Sequence, residues 1–437
     1  MTKIKKLSLI EVISMAVGTM IGASIFSIFG LGAGIAGQDL PEAFLLSAFY
    51  ALVVAYSYAC LGSKIISNAG PIAFILKGFG DNIITGALSI LMWLTYVVSI
   101  SLFVKGFAGY FLPLFHFQAG GWHAGVVETV LILFFTALNF GGSKAVGKAE
   151  FYIVLTKITI LLIFILGGFM TIKGSLVQPL VDQTHLGGLL NASVIFFLSY
   201  MGFGLITNAS ESMDNPQKNV PRAIFISILF VMIIYVLISL VTIGNLPLEE
   251  IVRAQENALA EAARPFLGSA GFLLISVGAL FSISSALNAT LFGGANIAYS
   301  LARDGELPEV FERKVWFGST EGLFITAGLG LIFALFFNLN AIASITSTVF
   351  TVIYIFVLIS HFRISKQVGG NRVLITFNLI VLTGVFLALL RYQWQTQIDT
   401  FYATLVIFAA ALLIEYLYRR MKGRIFREGN PDGAPDM

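Results

Sequence analysis

Charge is what this sequence has least of. Asp, Glu, Lys and Arg make up 11% of 437 residues, where an ordinary soluble chain carries about 25%. So few charges cannot cover a water-facing surface of this size, which excludes a soluble globular protein. The same shortage excludes a disordered chain, whose composition pairs low hydrophobicity with high charge. A net charge of +3 is too small to suggest a nucleic-acid partner. The single cysteine, Cys60, forbids an internal disulfide. Four scattered histidines (His116, His123, His185 and His361) give no metal-ligand spacing, so neither a metal nor a cofactor is expected.

What the chain has in quantity is apolar surface. Hydrophobic residues make up 57% of it and its mean hydropathy is +0.91. An apolar run of about 20 residues crosses a bilayer as a helix. Such runs fall near 10–35, 42–63, 81–112, 124–140, 146–171, 187–209, 220–244, 268–298, 322–338, 340–361, 373–390 and 399–418. An all-α membrane protein of twelve transmembrane helices follows. The first run is too long for a signal peptide and lacks a cleavage-like end, so it reads as the first span. Twenty Lys and Arg residues fall in loops on the side of the N-terminus and five on the opposite side. Basic residues collect on the cytoplasmic side, so both termini of a multi-pass cell-membrane protein are expected in the cytoplasm. The stretch 421–437, polar and rich in Gly and Pro, is expected to be a disordered tail.

Several motif matches fail on context. Gly32, Gly34 and Gly37 spell GxGxxG at the end of an apolar helix rather than after a strand. Gly142 to Lys148 spell GxxxxGK, but Ala149 stands where a magnesium-binding hydroxyl belongs. The glycosylation-like triplets at Asn191, Asn208 and Asn288 fall inside spans.

The first span reads ISMAVGTMIGASIFSIFGLGAGIAG, and its many glycines make one continuous rigid helix unexpected. The sixth, NASVIFFLSYMGFGLITNASE, has Gly202 and Gly204 at its centre beside Ser199 and Tyr200. Taken singly, such glycines are equally explained by close helix packing. Their spacing favours more. Gly22 and Gly202 each lie in the first span of a run of five, and five is odd, so 10–172 and 187–362 form two halves of opposite topology. The spans within 373–420 then add two extra helices. Broken helices at matching places of inverted repeats point to a secondary transporter's binding site. Unwound backbone is tolerated in a membrane only against protein, water or ligand. Free N–H groups attract a carboxylate and free carbonyls an ammonium, so a zwitterion such as an amino acid suits the pair.

Lys157 sits about ten residues into the fifth span, between apolar flanks. A charge at that depth costs at least ~2.5–3.5 kcal/mol, which makes it a functional candidate. A snorkelling lysine is the bland alternative, and it suits Lys105, nearer a span end, better. A buried amine releases its proton more readily and regains it when hydrated, which suits proton coupling. Ser282, Ser284 and Ser285 of the eighth span are possible hydroxyl partners.

On these residues the chain resembles the amino acid–polyamine–organocation superfamily across all twelve spans. GTMIGASIF, SYMGFG and ESMDNPQKNVPRAI carry the resemblance. SNAGPIAFI, DNIITGALSIL and RDGELPE are similar to archaeal proton-coupled members of broad specificity. The resemblance implies a LeuT-like fold of two inverted five-helix repeats plus two helices. It implies that the substrate carboxylate meets Gly22, Ala23, Ser24 and Ile25. It puts the amine at Leu198, Ser199 and Gly202, with Phe203 as an aromatic gate. It implies that Lys157 reaches Gly18 and Ser282 in place of a sodium ion. Gly204 stands where many relatives carry an acid, which argues against cationic substrates.

The expected function is therefore sodium-independent, proton-coupled symport of L-amino acids, with no obligate protein partner evident. Obligate exchange of amino acids or amines on the same fold is the alternative. No His–Asp, Asp-pair or Cys–His arrangement lies at membrane depth for an enzyme, and no filter-like loop or charged ring suggests a channel.

Overall fold

The computed structural model describes residues 6–22, 24–117, 121–139, 146–177, 183–303, 307–313 and 321–422. The 421–437 tail falls outside these residues from 423 onward, as does most of the GxxxxGK turn. Among the described residues every regular element is a helix, and one isolated bridge joins Leu7 to Met213.

The first span runs Leu9–Met20, stops, and resumes as Ser24–Ser27 and Phe29–Ala36. The second is Leu40–Gly62, and a short helix, Pro71–Phe79, precedes the third, Ile83–Leu114. The fourth is Gly121–Asn139 and the fifth Val146–Phe169. The sixth begins as Gln183–Phe196, tightens into a 3-10 helix over Phe197–Gly204, and ends with Leu205–Asn208. The seventh is Pro216–Asn245. A lid-like helix, Leu248–Ala254, and a turn, Gln255–Asn257, lead into Ala258–Arg303. That long helix kinks at Gly268, whose φ of 62° only glycine adopts freely, and its part beyond the kink is the eighth span. Glu321–Phe336, Leu339–Val368, Arg372–Thr396 and Ile398–Lys422 complete the twelve. Eleven apolar helices among the described residues are long enough to cross a membrane, and Glu321–Phe336, at 16 residues, is a shorter apolar one.

Four of these helices start where a polar side chain, Ser8, Asn82, Asn338 or Asn371, serves first N–H groups that have no partner within the helix. Ser8 and Glu11 form a capping box at the first span, and Asn82 accepts from Ile84 and Thr85 at the third. Inside the membrane a hydroxyl can be satisfied by the preceding turn, as Ser47, Ser89 and Thr346 are. The third span packs on the eighth, the second on the seventh, and the tenth on the third and eleventh. The eleventh and twelfth lie at the periphery. The twelfth is held by a charge cluster around the buried Glu415: Arg419 pairs with Glu415 at 2.6 Å and with Asp81 before the third span. Glu415 fits there because Gly86 has no side chain to meet its carboxylate.

At the end of the bundle where the chain begins, three segments are laced together. Leu7 N–H donates to Ser212 at 2.8 Å, and Asp214 N–H donates back to Leu7 at 2.9 Å. Glu211 accepts from the backbone and side-chain N–H groups of Asn68, at 3.0 and 3.2 Å. Ser67 N–H donates to Ser210 Oγ, which donates back to the Ser67 carbonyl. The entrance to the first span and the exits of the second and sixth are thereby joined.

Candidate functional site

The first span breaks where its carbonyls find donors elsewhere. The Gly22 N–H turns back to Thr19 at 3.1 Å, closing the helix with a tighter turn. Lys157 Nζ donates to the Gly18 carbonyl at 2.5 Å. Met20 accepts from Ser24 Oγ at 2.8 Å and from Tyr235 OH at 2.5 Å. Ser282 Oγ donates to the Gly22 carbonyl at 2.7 Å and lies 3.4 Å from that of Ile21. A bare carbonyl in hydrocarbon costs several kcal/mol, so these side chains of the fifth, seventh and eighth spans are what allow the break. They also exploit the negative end of a half-helix, where a cation is stabilised. Lys157 is 2% exposed, too deep to reach the interface by snorkelling.

The sixth span behaves differently from the expected gap. Over Phe197–Gly204 it is wound more tightly, as a 3-10 helix, so its carbonyls are partly used by its own backbone. Tyrosines approach two of them from outside: Tyr235 OH is 3.4 Å from the Ser199 carbonyl, and Tyr354 OH is 3.5 Å from that of Met201. Tyr235 thus touches both interrupted spans. Gly202 lets them meet, because a Cβ there would stand 2.9 Å from Met20 N and 2.8 Å from Met20 Cγ. Gly22 is similarly placed against the eighth span, with Ala286 Cβ 3.0 Å from the position of a Cβ.

A cavity of about 150 Å³ opens beside this crossing. Gly18, Ser24, Leu198 and Gly202 line it, so the structure brings these four together. Ile25 and Ser199 are fully buried, and neither they nor Gly22 lie on the cavity wall. Ala23 lies outside the described residues. Phe203 is also off the wall: it is fully buried, edge-on to Tyr58 at 5.3 Å and stacked on Tyr354 at 5.7 Å. The aromatic lining is instead Tyr58, Tyr96, Phe103, Phe350 and Tyr354. Thr19, Thr95, Ser99, Thr290 and Asn208 supply polar atoms, and no described lining residue is Asp, Glu, Lys, Arg or His. Off the cavity wall, Phe29, Phe44 and Phe196 form a buried stack, with centroids 6.0 and 4.0 Å apart. Among the described residues no cluster of three or more His, Cys, Asp or Glu could hold a metal.

Residues 7–416 match the family model described as amino acid permease. The chain belongs to the amino acid permease family. It is 62% identical over 424 residues to an uncharacterized protein, MJ0609, of Methanocaldococcus jannaschii, covering 97% of this chain and 98% of that one. It is 29% identical to the inner membrane transport protein YbaT of Escherichia coli, over 90% of this chain and 91% of that one. It is 28% identical to a methylthioribose transporter of Bacillus subtilis, over 95% and 94% of the two chains. This permease is thus a multi-pass membrane protein that transports amino acids, and its family and relatives are transporters rather than enzymes.

Within the permease, sequence reasoning missed Tyr235. A signal was present: one phenolic hydroxyl in FVMIIYVLISL, inside the most apolar span, must find a buried partner. The wall tyrosines carried no such signal, because aromatic residues are spread through every span.

Proposed function

We propose that this permease is a sodium-independent symporter that couples amino-acid uptake to protons through Lys157. The observation that carries the reading is the Lys157 ammonium on the Gly18 carbonyl, at the end of the interrupted first span. When protonated, the amine neutralises the half-helix end. Once neutral, it no longer provides that charge, and the first span is freer to move. Proton occupancy and the position of the break are therefore one equilibrium. A sodium ion there would meet a like charge in a medium of low dielectric.

The same reading has two inverted repeats, 10–172 and 187–362, in a LeuT-like arrangement, with both termini in the cytoplasm. The cavity then faces the cytoplasm, and the Phe29–Phe44–Phe196 stack closes the outer side. The substrate carboxylate goes to the N–H groups opening the second half of the first span, at Gly22 to Ile25. The amine goes to the Leu198–Gly202 backbone, with Ser199 offering less than a fully unwound segment would. A wall without charged side chains favours neutral substrates of varied size, because a cationic side chain would find no counter-charge there.

Purified protein in liposomes tests this directly. An inward proton gradient should concentrate labelled neutral amino acids without sodium and without internal substrate. Methylthioribose, which lacks the carboxylate, should compete poorly. Uptake that needs sodium refutes the coupling, and uptake that needs internal amino acid makes the protein an exchanger.

A further inference from the structure

Apart from Lys157, a second set of ionisable groups, buried or half-buried, gathers where the turn Gln255–Asn257 rests on the third span. One face of that span carries Lys105, Gly106, Gly109 and Tyr110, spaced to share a stripe. The two glycines are slots. A side chain on Gly106 would collide with Ser27 Oγ of the first span, and one on Gly109 with the Glu256 side chain. Around these slots three buried polar atoms have no hydrogen-bond partner among the described residues: Ser27 Oγ, Tyr110 OH and Glu256 Oε2. Ser27 and Tyr110 are 0% exposed. Lys105 lies 3.4 Å from Glu128 of the fourth span, and both act electrostatically on Glu256, which in turn acts on Tyr110.

The charges do not balance. One ammonium faces two carboxyl groups, and Lys105 is already paired with Glu128. The other charged groups on elements packed against the turn lie elsewhere. Glu249, Glu250 and Arg253 of Leu248–Ala254 are exposed, and Glu261 pairs with Arg264 at 2.5 Å. An ionised Glu256 would therefore be a half-buried surplus charge, while a protonated one leaves a single balanced Lys105–Glu128 pair beside it.

We propose that Glu256 is a second proton-binding site, filled when the 248–257 segment closes over the third span and emptied when it lifts. The site lies on the opposite side of the cavity from the laced N-terminal end. It makes closure of that face a proton-uptake step in its own right, whether or not Lys157 couples transport. The sign follows from linkage. The closed state binds the proton more tightly than the open one, in which a hydrated carboxyl titrates near about 4.3. Closure is therefore favoured as pH falls from the closed-state value toward the open-state one. One linked proton limits the change to about tenfold in the closed-to-open ratio per pH unit.

The test reads closure rather than transport. Spin labels are placed at Val252→Cys and Phe115→Cys, both exposed positions, in a Cys60→Ala background, and their distances are measured in liposomes from pH 8 to pH 5. The short-distance population should grow on acidification in the otherwise wild-type protein. Glu256→Gln mimics the protonated form and should hold it closed at every pH. Glu128→Gln should shrink the pH dependence, because Lys105 can then neutralise an ionised Glu256; loss of a merely structural ion pair would leave the titration in place. A Glu256→Gln protein that titrates like wild type overturns the proposal, as does a distance distribution that ignores pH in the wild type.

Discussion

Tyr235 and Ser24 both serve the Met20 carbonyl, and that shared acceptor makes a quantitative prediction. Tyr235→Phe removes one oxygen and leaves the ring packed on Phe44 and Tyr200, at 5.3 and 5.4 Å, so no cavity opens. Interhelical hydrogen bonds in membranes average about 0.6 kcal/mol and reach about 1.7. Ser24 still donates to Met20 at 2.8 Å in that variant, and the lost contact to Ser199 was long at 3.4 Å. The single change should therefore cost about 1 kcal/mol, and Ser24→Ala about the same. In the double variant neither hydroxyl remains for Met20. A buried acceptor left bare costs about 1–3 kcal/mol, so the double loss should exceed the sum of the singles by about 1 kcal/mol or more. Unfolding in mixed micelles, titrated with sodium dodecyl sulfate, measures all four proteins. Losses that add within about 0.5 kcal/mol would refute the idea that one carbonyl is shared.

Lys157→Arg should abolish proton-driven accumulation although it keeps the charge, because guanidinium does not release its proton. Lys157→Ala should fold and retain weak substrate binding without accumulation, and liposome uptake with equilibrium binding separates the two effects. Gly86→Ala should destabilise the docking of the twelfth helix by about 1–3 kcal/mol, since its methyl enters the space of the Glu415 carboxylate. An unchanged thermal unfolding midpoint for that variant would show that the helix simply moves aside.

The spans were legible because apolar runs of membrane length leave few alternatives, and Lys157 because one charge at depth stands out against hydrocarbon. The break in the first span was legible from its glycines, and the residues that fill it less so. Its donors come from the fifth, seventh and eighth spans, and each of them, Lys157, Tyr235 and Ser282, is a polar group within an apolar run whose partner the sequence leaves unnamed. Glycine content suggested equal gaps in the first and sixth spans. The sixth tightens into a 3-10 helix instead, and its Gly202 serves close approach to Met20 rather than a gap. Phe203 looked like a gate by its place in SYMGFG. Helical phase turns it toward Tyr58 and Tyr354, and that phase depends on 3-10 winding which composition does not reveal. The short helix Pro71–Phe79 was absent from the span count because nine residues cannot cross a bilayer.

The lacing around Leu7, Asn68 and Glu211 turns the start of the chain into a mechanical handle. Only Ser8 separates Leu7 from the first span, whose far end carries the Lys157 contact. A force or bulky cargo applied to the N-terminus is therefore delivered along a stiff rod to the break, and shared with the ends of the second and sixth spans. The C-terminus has no such leverage, because its helix lies at the periphery and is pinned by Arg419 to Asp81. For fusion partners, surface tethers or single-molecule pulling, the two ends of this permease are thus not equivalent: one grips the interrupted span beside the cavity, and the other a peripheral helix.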